Sequence, residues 1–431
     1  MCIRDRDYST PIHEKYNRMV NLGVAPGFAA VSQVLAGTGD APSTLVHPDR
    51  NNFSPRVGFA LRPLKKGTMV VRGGYGVYYN TSIYNQIANN MAQQPPFANT
   101  LSIANSLTNP LTIQNGFIAP PSLGGITNTY AIDPYYRTGY ASIWQISVQN
   151  DLGRNLVATI TYNGTKGTAL DQTVLPNSAP SGGKANGLPA GYIYESANGN
   201  SIYHGGTFQL MRRFRSGISA NASYTYSKAI DNAVQAQNFL DTSAERALSS
   251  TSRTHVANFS WQWSSGSGRG AGFGTINGWK GSVLKGWTIQ NNITVGSGLP
   301  LTPTVGGARS TTTGTGITGS LRANATGLSV NDAAAGQPFN FAAFAIPAAG
   351  QWGTAGRNTI IGPTQFGFNA SMGRNFRVAE RKNLNFRFEA QNALNHVIFR
   401  GFNTTIGSNN LGLYSGPSAM RSLTATMRFS F

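Results

Sequence analysis

Leu423-Thr-Ala-Thr-Met427-Arg-Phe429-Ser-Phe431 alternates strictly between apolar and polar residues and stops on an aromatic. Successive side chains of a strand point to opposite faces, so Leu423, Ala425, Met427, Phe429 and Phe431 share one face. Ser422, Thr424, Thr426, Arg428 and Ser430 share the other. A transmembrane barrel wall needs this dyad, because one face meets lipid and the other a wet or plugged lumen. Over one segment a half-buried strand of a soluble sheet reads the same way, so recurrence of the pattern has to decide.

It recurs along the whole chain, and the strand-like runs arrive in pairs. Residues 53 to 62 place Val57, Phe59 and Leu61 on one face, and Pro63-Leu-Lys-Lys-Gly67 turns the chain into 68 to 80. There Met69, Val71, Tyr75, Val77 and Tyr79 oppose Arg72, Gly74, Gly76 and Tyr78. The same scheme fits 140 to 150, 156 to 164, 203 to 212, 218 to 227, 286 to 296 and 365 to 376. In 255 to 263, Ala257, Phe259, Trp261 and Trp263 oppose Asn258, Ser260 and Gln262. After Val378-Ala-Glu-Arg-Lys382, the residues Leu384, Phe386, Phe388 and Ala390 oppose Asn385, Arg387, Glu389 and Gln391. An Arg and a Glu two apart can pair on a lumen wall, whereas an Arg at the lipid midplane costs about 2 to 4 kcal/mol. With the terminal segment the count is about eleven strands.

Composition excludes the competing classes. Only 11% of the residues are charged and Gly numbers 51, which is too few charges to coat a soluble globule of 431 residues. No apolar run approaches the roughly 18 to 20 residues of a membrane helix. A barrel dilutes its membrane signal over alternating segments of about ten residues, which reconciles both facts. The net charge of +19 raises nucleic acid as a partner. A nucleic-acid face clusters its Lys and Arg along one stripe, and here they are spread singly or stand as short pairs beside turns, so nucleic acid is not expected. Basic turns beside anionic lipid head groups account for them.

Connection lengths give an orientation. The turns after the first, third, fifth and ninth strands are about five or six residues, and 264 to 285 is intermediate. The segments 81 to 139, 165 to 200, 228 to 254, 297 to 364 and 393 to 418 are long and rich in Gly, Asn and Pro. Outer-membrane barrels have short periplasmic turns and long external loops, and counting back from a periplasmic C-terminus puts each short turn inside and each long loop outside.

With the strands placed, five strings carry a family resemblance. They are Asn51-Asn-Phe-Ser-Pro-Arg-Val-Gly-Phe59, Val71-Arg-Gly-Gly-Tyr-Gly-Val-Tyr-Tyr79, Tyr224-Thr-Tyr-Ser-Lys-Ala-Ile-Asp231, Gly353-Thr-Ala-Gly-Arg-Asn358 and Phe386-Arg-Phe-Glu-Ala-Gln-Asn-Ala-Leu-Asn-His396. In this order and spacing they resemble the C-terminal half of a TonB-dependent receptor, and within that family the Oar-like branch. The resemblance implies a barrel of about 22 strands, plugged by an N-terminal domain, that imports a scarce ligand such as an oligosaccharide, a siderophore or a peptide-like molecule. It also implies as partners the TonB energy-coupling complex, outer-membrane lipid and lipopolysaccharide, and the barrel-assembly machinery. Ala425, Met427, Phe429 and Phe431 would form the signal that this machinery reads.

The fold expected is therefore all-β: an antiparallel transmembrane β-barrel wall of about eleven strands, half of a complete barrel. Met1-Cys-Ile-Arg-Asp-Arg-Asp7 is charged where a signal peptide is apolar. Residues 1 to 52 are expected to be a non-native start and a partial external loop, poorly structured, with 53 to 431 forming the C-terminal part of the barrel.

Enzyme chemistry finds no support. The histidines at 13, 47, 204, 255 and 396 are scattered, and Cys2 is the single cysteine, so no metal or cofactor set emerges. Gly314-Thr-Gly-Ile-Thr-Gly319 matches a dinucleotide fingerprint by letter, yet no strand precedes it and no helix follows. His396 beside Asn392 and Asn395 reads as a loop turn. Candidates for ligand contact on the lumen face are Arg72, Tyr78, Asn258, Arg387 and Glu389, all of which could equally solvate the wall. The alternative function is a passive porin or an adhesin-like surface barrel without a plug.

Overall fold

The computed structural model describes residues 8–64, 67–98, 112–114, 128–178, 180, 191–265, 278–306, 309–310, 318–379 and 382–431. Lys65, Lys66, Glu380, Arg381 and residues 314–317 of the glycine string lie outside them.

Eleven strands form the main path of one sheet, which the short strands Tyr130–Ile132, on β5, and Ala247–Leu248, on β6, also join: β1 (Arg56–Leu61), β2 (Met69–Tyr79), β3 (Tyr140–Gly153), β4 (Leu156–Val174), β5 (Ile193–Arg215) and β6 (Ile218–Asp231). They continue with β7 (His255–Ser264), β8 (Trp287–Gly296), β9 (Gln365–Ala379), β10 (Lys382–Gln391) and β11 (Ser422–Ser430). The strands lie side by side in chain order, every neighbouring pair is antiparallel, and β1 and β11 are the two edges of an unclosed wall. Count, order and faces agree with the alternation in the sequence.

Register is what keeps the two faces chemically distinct. Gln149, Thr159, Gln209, Ser223, Asn258 and Thr294 are successive partners across six strands. The adjacent row runs Val148, Ile160, Phe208, Tyr224, Ala257, Val295 and Phe366. A slip of one residue in any pair would put amides among the aromatics, so the pattern itself selects the pairing. Ile160, Phe208, Phe259 and Met427 on the apolar face are exposed. A continuous apolar surface of this extent is stable only in contact with lipid.

At one end the turns are tight. Arg154 and Asn155 both have positive φ between β3 and β4, the backbone that two-residue hairpins need to match strand twist. At the other end the strands overrun. β4 has 19 residues and β5 has 23, against about 9 to 11 for a tilted membrane strand. Of the stretch 165 to 200, expected as a loop, residues 165–174 and 193–200 instead continue the β4–β5 ladder, because their polar residues still find strand partners.

The packed cores lie in the long connections and not between layers of the wall. Residues 8–52, expected to be poorly structured, are corrected here. Val20–Val24 and Val31–Leu35 form a hairpin. Met19, Leu45 and Val46 are buried in one cluster with Ile83, Tyr84, Ile87 and Met91 of α1 (Ile83–Ala92) and with Tyr130 and Ile132. The helix buries positions spaced by four, one stripe of its surface. The hairpin escaped the sequence reading because its apolar partners are supplied by distant segments, α1, Tyr130–Ile132 and Tyr192. A second core joins the 297–364 and 393–418 connections through Leu321, Phe339, Phe344, Ile360, Phe402 and Ile406.

Candidate functional site

The polar face forms a concavity of about 790 Å³ lined by β5 to β11. Its lining includes the amides and hydroxyls of Asn221, Ser260, Gln262, Gln290, Asn292 and Ser371, with Met211, Phe214 and Trp261 beside them. These groups bond to one another across strands: Gln209 Nε2 donates to Asn221 Oδ1 at 2.7 Å, and Gln290 Nε2 donates to Gln262 Oε1 at 2.9 Å. Cross-strand pairing of this kind holds each amide in one orientation while its remaining hydrogen-bonding capacity faces the concavity.

Arg387 and Glu389 also line it and pair with each other at 2.8 Å, with about half of each side chain open to water. A pair so exposed contributes little to stability, on the order of 0 to 1 kcal/mol. Its consequence is a local dipole on a wall whose other charged lining residues are Arg212 and Arg213. Asn258 accepts from Thr294 Oγ1 at 3.0 Å, which ties β7 to β8. Arg72 lies near the other edge, where its Nη1 donates to Gln149 Oε1 at 2.8 Å. Tyr78 carries the Arg56 guanidinium 4.3 Å from its ring centroid. The ring covers Gly76, where a Cβ would come within 2.9 Å of it. The five sequence candidates thus occupy β2, β7 and β10; only Arg387 and Glu389 meet.

On the terminal strand, Ala425, Met427 and Phe429 partner Phe388, Phe386 and Leu384 of β10. Phe431 follows the last paired residue and is 92% exposed. His396 is held in a turn, its N–H donating to Asn392 Oδ1 at 2.9 Å while Asn392 Nδ2 donates to its carbonyl.

A polar cluster that the sequence reading missed joins two long connections. Arg322 Nη1 meets Glu245 Oε2 at 2.7 Å, and both side chains are buried. Gln237 donates from its backbone N–H to Glu245 Oε1, and its own Oε1 accepts from Arg322 N. Arg357 pairs with Asp231 and also donates to the Glu245 carbonyl. Gly353 fits against this cluster because it lacks a side chain: a Cβ there would lie 1.9 Å from the Arg322 carbonyl oxygen. Two of the quoted strings, 224–231 and 353–358, therefore meet at Asp231 and Arg357. Isolated charged letters in loops gave no hint of it.

At the end of β5 away from the tight hairpin, past the roughly 9 to 11 residues that cross a membrane, Tyr130 donates to Glu195 at 2.8 Å. Burial pushes the Glu195 carboxyl above its ordinary range; the hydrogen bond from Tyr130 opposes this and the nearby Asp171 charge adds to it. Tyr136 bonds Asp171 on β4 in the same region.

An antiparallel wall with one apolar exposed face, one polar concave face, hairpins at one end and packed connections at the other defines an outer-membrane β-barrel. The chain belongs to the outer membrane beta barrel domain family, which matches residues 6–424. Its place is the bacterial outer membrane. Among solved structures the chain is similar to the outer membrane transporter YddB from Escherichia coli, at 10% identity and a TM-score of 0.51. That match covers 89% of this chain and 41% of the transporter, so the chain spans well under half of its length. The ferric-catecholate import receptor Fiu from E. coli matches at 11% identity and a TM-score of 0.42, over 96% of this chain and 40% of that one. The FrpB iron transporter from Neisseria meningitidis gives 12%, 0.43, 88% and 39%. No curated protein matches the chain.

Proposed function

We propose that the chain is the C-terminal half of the barrel of a TonB-dependent receptor of the Oar-like branch, an energised importer of a scarce ligand. The observation that carries this is the open wall: eleven strands with two unpaired edges, alike in fold to 41% of an outer-membrane transporter. Eleven strands are half of the roughly 22 that enclose a plugged lumen. The polar concavity then forms part of the lumen, and the two external cores hold the ligand-facing loops in place. Partners on this reading are an N-terminal plug, the TonB complex, the barrel-assembly machinery and the lipid and lipopolysaccharide around the wall. The test is to read the parent gene upstream and to ask whether the parent protein binds the periplasmic domain of TonB. A plug domain and such binding are expected. A reading frame that encodes a closed barrel with no plug would make it a passive pore.

A further inference from the structure

We propose that in detergent micelles the chain closes with a second, inverted copy of itself, like edge against like edge, into one barrel of twice eleven strands. This goes beyond the reading of the chain as half of a parent barrel, in which strands of the parent take both edges.

The edges are unguarded. Among the described residues nothing pairs with the outer side of β1 or of β11. Natural edge strands are blunted by proline, lysine, bulges or a covering segment. Neither Arg56–Leu61 nor Ser422–Ser430 contains proline or lysine, and the β1–β2 and β10–β11 ladders run without a register shift. Each edge is therefore a straight row of unpaired backbone N–H and C=O groups. Exposed apolar side chains flank both rows, Val57 and Phe59 on β1 and Met427 and Phe429 on β11. In a hydrocarbon medium such an open edge is not stable, because no water satisfies its backbone groups.

The direction of the edges selects the partner. Eleven antiparallel strands leave the first and the last running the same way, so the wall cannot close on itself through an antiparallel seam. Nor can a copy in the same orientation supply one, since its β1 would meet β11 in parallel. A copy turned end over end about an axis normal to the wall reverses every strand and keeps its polar face inside. Its β11 then lies antiparallel to β11 and its β1 antiparallel to β1. Such a contact is isologous, each edge meeting itself.

The register follows from the faces. A strand paired antiparallel with its own copy keeps like faces together only when one residue stands opposite itself. Centred on Thr426, the middle of β11, the seam puts Leu423 opposite Phe429, Ala425 opposite Met427 and Thr424 opposite Arg428. The two arginines are thus kept apart, each across from a hydroxyl residue on the polar side. The polar concavities share one lumen, and the packed connections of the two copies stand at opposite ends of the barrel.

The test uses the full chain with Cys2→Ser, in micelles. Light scattering corrected for detergent is expected to give a protein mass of twice 45.8 kDa. In that background single cysteines are oxidised, and Thr426→Cys is expected to give at least about tenfold more disulfide-linked dimer than Thr424→Cys or Arg428→Cys. Residues two from the centre of the seam lie beyond disulfide reach of their own copies. A mixture of Thr426→Cys with Gly58→Cys is expected to form no mixed dimer. A monomeric mass overturns the proposal whatever the cysteine variants do. Equal crosslinking at 424, 426 and 428 marks random collision and overturns it too. Mixed dimers through 58 and 426 would show copies joined head to tail and overturn closure by like edges. None of these results touches the half-barrel reading, which stands or falls on the parent gene and its plug.

Discussion

Arg322 Nη1 and Glu245 Oε2 are 2.7 Å apart in almost complete isolation from water, although 77 residues separate them in the chain. One comes from the connection after β8 and the other from the connection after β6. The two long connections are thereby one body, with Gln237 bonded to both partners.

Removing one member leaves a buried charge without compensation, which costs about 3 to 5 kcal/mol. Glu245→Ala should therefore release these two connections from each other while the wall persists. Limited proteolysis and amide exchange would show new cleavage and faster exchange in 318–361, with β3 to β6 unchanged. Replacing both Glu245 and Arg322 by leucine should restore much of the protection. Unaltered exchange in the single variant would show that the pair holds nothing together.

Glu195 gives a dependence on pH. Its folded-state pKa is raised by burial, so the folded form keeps its proton above the ordinary value of 4.5. A raised carboxyl contributes stability that is complete below the unfolded pKa and is lost as pH rises through the folded one. The contact of Tyr130–Ile132 with β5 should accordingly loosen as pH rises above the ordinary carboxyl range. Exchange of the amides of Tyr130, Ala131 and Ile132, corrected for intrinsic rate, measures this. Glu195→Gln should flatten the profile; a profile unchanged by that substitution would remove Glu195 as its cause.

The two faces of β10 can be read chemically. Phe386 partners Met427 on the apolar side, and Asn385 partners Arg428 on the polar side. Cysteines at 386 and 388 should react with a lipid-soluble probe, and cysteines at 385 and 387 with a water-soluble one. Equal reaction of both sets with the lipid probe would contradict a membrane wall.

The wall was legible because period-two alternation is a local signal, written in each strand irrespective of its partners. Even the pairing followed, since hairpin order and face chemistry leave one register. What could not be read were contacts between distant connections. Met19 and Leu22 look like a fragment of loop until α1, Tyr130 and Ile132 supply the other half of the core for the first, and Ala131 and Tyr192 for the second. The same holds for Glu245 and Arg322, which are solvated charges in the sequence and a buried pair in the fold. Of the lumen candidates, Arg387 and Glu389 were found as neighbours because they are two apart on one strand. Arg72 and Asn258 were placed on the right face without any indication that eleven strands would hold them far apart.

The terminal strand carries a prediction about assembly. Ala425, Met427 and Phe429 present an apolar row on an edge strand whose outer side is unpaired, and Phe431 extends that row past the last ladder pair. An exposed edge of this kind is a template for strand addition, which is how an assembly partner would engage it. Deleting Phe431, or Phe431→Asp, removes a large apolar group at the membrane interface without touching the polar concavity. In the full-length parent the outer-membrane level should fall several-fold and protease-sensitive chain should accumulate in the periplasm. Ser430→Ala, on the opposite face, should be tolerated. Immunoblots of separated membrane fractions measure both variants. Wild-type levels after deletion of Phe431 would show that the row stabilises the finished wall and plays no part in building it.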